Sequence, residues 1–415
     1  MSQHPSLSDL IRVFGRIGLL SFGGPAAQIG LMHRELVEER SWLKEKEFLG
    51  ALSFCMLLPG PEAMQLATYT GWKLRGTVGG LIGGGLFFIP GAFIIAALAA
   101  LYLSFGDVPL VAAAFLGVQA TVVAIIIQAL VRLSGKVLSA RLNWIVAAIA
   151  FVTLYSGLAP FPAVILLAGI VGALAGADTD TEAAVPQKVA LRSTLQTIAT
   201  WLVIWLSPIA VLWLLDAQFL VTLSLFFSKL AVVTFGGAYA VLAYMVQAVV
   251  SDYQWVSTPQ MMDALGLAET TPGPLILVTQ FTGHLAGYQA GGVSLAVVAG
   301  FMTLWCTFTP CFLWIFAGAP YVDYLLSQPR LTGALQMISA AVLGVIANLS
   351  LWFTLHLLFA DVQSTAWGAW PTPESFQIIP AGLAILACVL LLWIRVPLLL
   401  TLALMAVASS LISLV

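Results

Sequence analysis

The chain has 415 residues, of which 61% are hydrophobic and 8% charged, and its mean hydropathy is +1.03. Soluble domains carry about a quarter charged residues, so the composition is that of an integral membrane protein. Apolar runs near the roughly 20-residue helical spanning length recur, which predicts an all-α fold and excludes an outer-membrane barrel. A net charge of −2 leaves no basic footprint for nucleic acid.

Residues Met1 to Asp9 lack the basic region and cleavage site of a signal peptide. Apolar segments then follow at about 8–38, 45–75, 77–104, 108–134, 142–158 and 160–176. Gly23-Gly24-Pro25 interrupts the first segment near its centre, and Pro59-Gly60-Pro61 interrupts the second. A polar linker, 177–194, carries Asp178, Asp180, Glu182, Lys188 and Arg192. One extra apolar segment, 195–215, is rich in tryptophan (Trp201, Trp205 and Trp213). The series then repeats at about 219–250, 258–287, 290–318, 330–358, 376–394 and 396–414.

The two halves share a motif at constant spacing. Phe14, Phe22-Gly23-Gly24-Pro25, Ala27, Trp42, Ala51-Leu52 and Pro59-Gly60-Pro61 return 213 residues later. The second copy reads Phe227, Phe235-Gly236-Gly237-Ala238, Ala240, Trp255, Ala264-Leu265 and Pro272-Gly273-Pro274. The division is therefore a first repeat over 1–176, the linker, the extra helix and a second repeat over 216–415. An odd number of spans separates the repeats, which predicts that the second is inverted.

Charge placement orients the chain. With a cytoplasmic N-terminus, Lys73, Arg75, Arg132, Lys136, Arg141, Lys188, Arg192, Arg330 and Arg395 fall inside. The opposite loops carry Asp107, Asp216, Asp361 and Glu374. Residues 33–47, with Arg34, Arg40, Lys44 and Lys46, lie outside if both flanking segments span, and inside if both are re-entrant hairpins meeting at the midplane. Arms of about 14 residues rise only about 20 Å, which suits hairpins. Broken spanning helices are the alternative.

The breakers carry the chemistry. Glycine permits a sharp turn and close ligand approach, and proline suits the first turn of a helix. Each break is expected to leave unpaired N–H groups at the positive end of a helix dipole, an anion site without formal charge. Such helix starts fall near Ala26, Glu62, Ala238 and Leu275. Close packing of membrane helices is the plainer use of the same residues. Arg16 and Lys229 occupy equivalent positions, each six residues before a Phe-Gly-Gly, and either attract an anion or snorkel to the interface. Glu62 and Glu269 are candidate proton carriers, or structural hydrogen-bond partners. Gln28, Gln65, Thr68, Thr270, Thr271, Thr279 and Gln280 add polar groups that serve as donors or as glue between helices. Cys55, Cys306, Cys311, Cys388 and the four scattered histidines have no metal-ligand spacing, so no metal or cofactor is predicted. Hydrolase and nucleotide-binding motifs are missing from the sequence, which points away from an enzyme and from direct ATP drive.

These residues resemble the chromate ion transporter family in its long form with two fused halves. The resemblance rests on Gly18-Leu19-Leu20-Ser21-Phe22-Gly23-Gly24-Pro25 and Met56-Leu57-Leu58-Pro59-Gly60-Pro61-Glu62-Ala63. It also rests on Gln65-Leu66-Ala67-Thr68-Tyr69, Thr234-Phe235-Gly236-Gly237-Ala238-Tyr239 and Ala268-Glu269-Thr270-Thr271-Pro272-Gly273-Pro274. With the surrounding hydropathy it covers the whole chain. Met64 and Ala243 depart from the familiar pattern, which holds glutamine and proline there. The resemblance implies a multi-pass protein of the bacterial inner membrane that exports chromate, conferring resistance, by exchange with protons. Sulfate shares the shape and charge of chromate, so a sulfate-type oxyanion carrier or a passive anion channel is the alternative. The expected partners are the oxyanion, protons, lipid and a second copy in a homodimer.

Overall fold

The computed structural model describes residues 5–106, 108–175, 191–233, 235, 238–365 and 368–414. The first half comprises α1 (Leu7–Leu20), α2 (Gly24–His33), α3 (Glu45–Leu57), α4 (Glu62–Phe105), α5 (Pro109–Val137), α6 (Arg141–Tyr155) and α7 (Phe161–Ala175). After α8 (Leu191–Leu214), the tryptophan-rich helix, come α9 (Gln218–Val233), α10 (Ala238–Val246), α11 (Thr258–Thr270) and α12 (Val278–Gly318). A short α13 (Val322–Leu326), α14 (Pro329–Leu358), α15 (Ile378–Cys388) and α16 (Leu398–Ser413) complete the helices. The architecture agrees with the all-α expectation, with a small addition: β1 (Val362–Thr365) and β2 (Gly368–Pro371) pair as an antiparallel hairpin between α14 and α15. Gly368 opens β2 at φ +110°, and the Tyr155 hydroxyl donates to the Ala369 carbonyl at 2.7 Å. The predicted linker falls largely on 176–190, outside the described residues.

The helical faces are apolar where they meet no protein. Phe93, Leu158, Leu174, Leu214 and Trp393 are between 72% and 83% exposed, more apolar surface than a soluble monomer leaves in water. Among the described residues, five stretches are long and apolar enough to cross a membrane: Glu62–Phe105, Pro109–Val137, Leu191–Leu214, Leu275–Tyr321 and Pro329–Leu358.

Two of these stretches are bent alike. α4 leaves helical geometry at Arg75 (φ −143°, ψ 28°) and Gly76 (62°, −155°), and α12 does so at Gly291 (−170°, 26°) and Gly292 (76°, −162°). Only glycine takes the second conformation of each pair without strain. The arms on either side then pack without room for a Cβ. One added to Gly84 would lie 2.2 Å from Thr68 Oγ1, and one added to Gly300 would lie 2.1 Å from His284 Cε1. The arrangement thus recurs 216 positions on, from 76 to 292 and from 84 to 300.

The chain forms two compact units, and each draws on both halves of the sequence. The first unit holds Met1–Ala99, Thr179–Val241 and Ala268–Leu331. Within it, α8 packs on α12 through Trp201 stacked on Phe312 (5.6 Å) and a 3.1 Å hydrogen bond from Trp305 Nε1 to the Trp205 carbonyl. The second unit holds Ala100–Asp178, Leu242–Leu267 and Thr332–Val415. Within it, α5 of the first half packs on α16 of the second, where a Cβ on Gly117 would meet the Met405 carbonyl at 2.1 Å. Conversely, α14 packs on α6, where one on Gly344 would meet the Ala147 carbonyl at 2.2 Å.

In the first unit, Pro5 and Ser6, residues 40–47 and residues 73–75 come to one end. Arg75 Nε donates to the Pro5 carbonyl (2.6 Å), Lys73 Nζ bonds Glu47 Oε1 (2.9 Å), and Pro5, Ser6, Arg40, Trp42 and Arg75 share a cavity of about 550 Å³. Here too His33 Nε2 lies 2.7 Å from Glu45 Oε2, and Nδ1 lies 3.1 Å from Glu38 Oε1. The hydrogen bond to Glu45, reinforced by both carboxylate charges, raises the His33 pKa above 6.5. A raised folded-state pKa contributes stability that is complete below about pH 6.5 and is lost as pH rises through the higher value. His33→Gln is therefore expected to lower the melting temperature at about pH 5.5 and to have little effect at about pH 9. Thermal melts in detergent at the two pH values check this.

Candidate functional site

The candidate residues from both halves collect in the first unit. α1 stops at Ser21, and Gly23 (φ +82°) and Gly24 (φ +78°) turn the chain into α2, with Pro25 in its first turn. α3 stops before Pro59, and Gly60 (φ +121°) turns the chain so that α4 begins at Glu62. In the second half, α11 stops at Thr270, and Gly273 (φ +96°) leads through Pro274 into a tight turn, Leu275–Leu277, before α12. The fourth predicted break, at Phe235-Gly236-Gly237-Ala238, falls on Gly236 and Gly237, which with Thr234 lie outside the described residues; α10 begins at Ala238.

Two breaks from different halves bond to each other. The Gly273 N–H donates to the Ser21 carbonyl at 2.9 Å. Gln28 Nε2 donates to the Gly273 carbonyl at 2.7 Å and to the Ser21 carbonyl at 3.3 Å, so one buried amide spans both breaks. This corrects the expectation that each break leaves its N–H groups unpaired. The Gly273 donor is occupied because a buried N–H without a partner is costly. Pro272 also presses on α4: a Cβ on Gly91 would lie 2.1 Å from its carbonyl oxygen.

The Pro59 break is built on the same plan. Gln65 Nε2 donates to the Pro59 carbonyl at 2.7 Å, and a Cβ on Gly60 would fall 2.9 Å from Cys311 Sγ on α12. Gly60 and Pro61 line a cavity of about 10 Å³ with Leu230, Ala231, Ile276 and Thr307. That volume suits a single water, not a tetrahedral oxyanion. The Pro59 break, the end of α9 and the turn after Pro274 therefore share one buried space. Thr279 and Thr307 hydroxyls lie 3.2 Å apart, and Thr307 lines the cavity. Gln65 Oε1 and Gln280 Oε1 are buried without a hydrogen-bond partner.

The charged candidates divide. Glu269 is 8% exposed, and its Oε1 accepts a 2.7 Å hydrogen bond from the Tyr239 hydroxyl. Glu62, half-buried, follows Pro61 in the first turn of α4, where a helix dipole favours a carboxylate. Arg16 is not brought to the breaks. Its side chain is 53% exposed and lies 3.5 Å from Glu35, a fully buried carboxylate that Arg40 also holds. Lys229 is exposed, although its neighbours Leu230 and Ala231 line the small cavity. Sequence reasoning gave Ser21, Tyr239, Thr307 and His284 no part of their own in the site, and read Cys311 only as having no metal-ligand spacing. The first two were signalled by adjoining the Phe-Gly-Gly motifs.

The fold and its paired breaks define a multi-pass helical membrane protein of duplicated sequence. The family described as Chromate transporter matches residues 8–173 and 221–410, one stretch in each half. The chain is 31% identical over 385 residues to the chromate transport protein of Pseudomonas aeruginosa, covering 92% of this chain and 87% of that one. It is 30% identical over 349 residues to a probable chromate transport protein of Synechococcus elongatus, covering 83% and 84%. It is 29% identical over 348 residues to the chromate transport protein of Cupriavidus metallidurans, covering 83% and 81%. The chain belongs to the chromate transporter family. No solved structure matches it.

Proposed function

We propose that this protein is a secondary active transporter that carries chromate out of the bacterial cytoplasm across the inner membrane in exchange for protons. The observation that carries the reading is the bond between breaks of opposite halves, Gly273 N–H to the Ser21 carbonyl, beside the Pro59-Gly60-Pro61 turn. An oxyanion oxygen is a stronger acceptor than a carbonyl. By taking the Gly273 donor from Ser21 it would separate the two breaks and enlarge the small cavity, linking binding to a change of conformation. Attraction then comes from backbone donors, buried amides and helix ends, with Gln28 and Gln65 completing the shell. Arg16 and Lys229, exposed in this conformation, act at longer range on the approaching dianion. Glu269 and Glu62 are the proton carriers of this reading. An ionised carboxylate and a dianion in one low-dielectric space repel, and repulsion alone would couple proton and anion in the same direction. Exchange requires in addition that the protonated acid and the anion exclude one another from the site.

The geometry of the first unit supports re-entrant hairpins over broken spanning helices. Pro5 and Trp42 flank the first segment, and Glu47 and Lys73 flank the second, yet all four belong to one end. Such an arrangement puts residues 33–47 on the cytoplasmic side and removes the exception to the charge rule. The bend shared by Gly76 and Gly292 supports a structural repeat, and the odd number of spans between the copies makes it an inverted one in this reading. A cysteine at Ser41, in a background lacking the native cysteines, should resist a membrane-impermeant maleimide added from the periplasm. Periplasmic labelling with a cytoplasmic N-terminus would restore spanning helices. Substrate identity is tested with purified protein in liposomes: chromate flux should be competed by sulfate in proportion to their affinities. Sulfate flux without chromate flux would move the protein to the sulfate reading.

A further inference from the structure

Within the second unit, α11 carries a buried carboxylate that the proposed mechanism has not used. Asp263 is 4% exposed. The Tyr102 hydroxyl, from the last turns of α4, donates to its Oδ2 at 2.8 Å, and Gln119 Nε2, from α5, donates to its Oδ1 at 2.9 Å. Both partners are held in place. Tyr102 packs edge-on to Phe115 at 5.1 Å, and α11 lies so close to α5 that a Cβ on Gly266 would be 2.1 Å from Val118 Cγ1. Tyr102 and Gln119 are the groups that face the carboxylate from these two helices. Among the described residues no lysine, arginine, histidine or second acid pairs with it.

The choice of partners is informative. A carboxylate kept ionised inside a protein is held by a cation or by fixed donors such as arginine. A tyrosine hydroxyl and a glutamine amide each offer both a donor and an acceptor. The hydroxyl can turn, and the amide can present its oxygen, to receive the proton of a neutral acid. The pair therefore satisfies either protonation state, while burial without a counter-ion penalises the charged one. Glu269, six residues on along the same helix, is held likewise by the Tyr239 hydroxyl.

We propose that Asp263, with Tyr102 and Gln119, is a second proton-binding site of the transporter, reversibly protonated during the cycle. This rests on the proton-exchange reading. The proton adds to one Asp263 oxygen and leaves from it, and no other bond changes.

The test is pH-difference infrared spectroscopy of the intact protein in liposomes without substrate. A carboxylic-acid carbonyl band that titrates between about pH 5 and pH 9 should be lost in Asp263→Asn and retained in Glu269→Gln. Gln119→Leu, which keeps the acid, should shift the band and its midpoint, so the proposal stays testable if Asp263→Asn misfolds. An unchanged titrating band in Asp263→Asn, or an unshifted one in Gln119→Leu, would overturn it. A titrating Asp263 band with flux indifferent to an imposed pH gradient upholds the site as a proton binder and defeats the exchange reading instead.

Discussion

Gly273→Val should abolish chromate transport while the protein still inserts, with a fall on the order of 100-fold. Gly273 sits at φ +96°, where a β-branched residue is strained, and its Cβ would press on Leu277 Cδ1 at 3.1 Å. The strain would displace the N–H now bonded to Ser21, and with it the donor proposed for the anion. Gly60→Val should act alike, since its Cβ would fall 2.7 Å from Gln65 Nε2 and 2.9 Å from Cys311 Sγ. Flux assays with membrane-fraction quantification separate lost transport from lost insertion. Full transport by a correctly inserted Gly273→Val would remove the helix-end argument for that break.

Glu269→Gln should leave chromate binding in place and uncouple transport from the pH gradient. One pH unit is worth about 1.4 kcal/mol per exchanged proton, a tenfold accumulation ratio. The variant should retain exchange of chromate for chromate and lose that ratio. Tyr239→Phe, which removes the 2.7 Å hydrogen bond but keeps the acid, should shift the pH dependence without abolishing it. If Glu269→Gln and Glu62→Gln both keep the wild-type response, these carboxylates are structural.

The elements were readable because each is announced locally. Gly23-Gly24-Pro25 and Pro59-Gly60-Pro61 interrupt apolar runs at their centres, and the structure breaks its helices there. The bend at Arg75-Gly76 was visible only as a boundary between segments, since nothing local says that the helix resumes at once. The bond from Gly273 to Ser21 was illegible, because a 213-residue spacing records ancestry and not contact. The partner of Arg16 was illegible too: Glu35 lies in the π-helical turn, 34–38, that continues α2 and buries its carboxylate. Nor did the halves reveal that helices of one pack on helices of the other, as α5 does on α16. Among the described residues the β1–β2 hairpin has no counterpart in the first half, and its four-residue strands are too short to show a periodicity.

Proton-coupled exchange at the opposed breaks is tested most directly by chromate flux in proteoliposomes under an imposed pH gradient with the membrane potential clamped. Chromate should move against its own gradient toward the more acidic side, the accumulation growing about tenfold per pH unit for each proton exchanged. Flux that only dissipates the chromate gradient, whatever the pH difference, would contradict it and make the protein a passive conductor of anions.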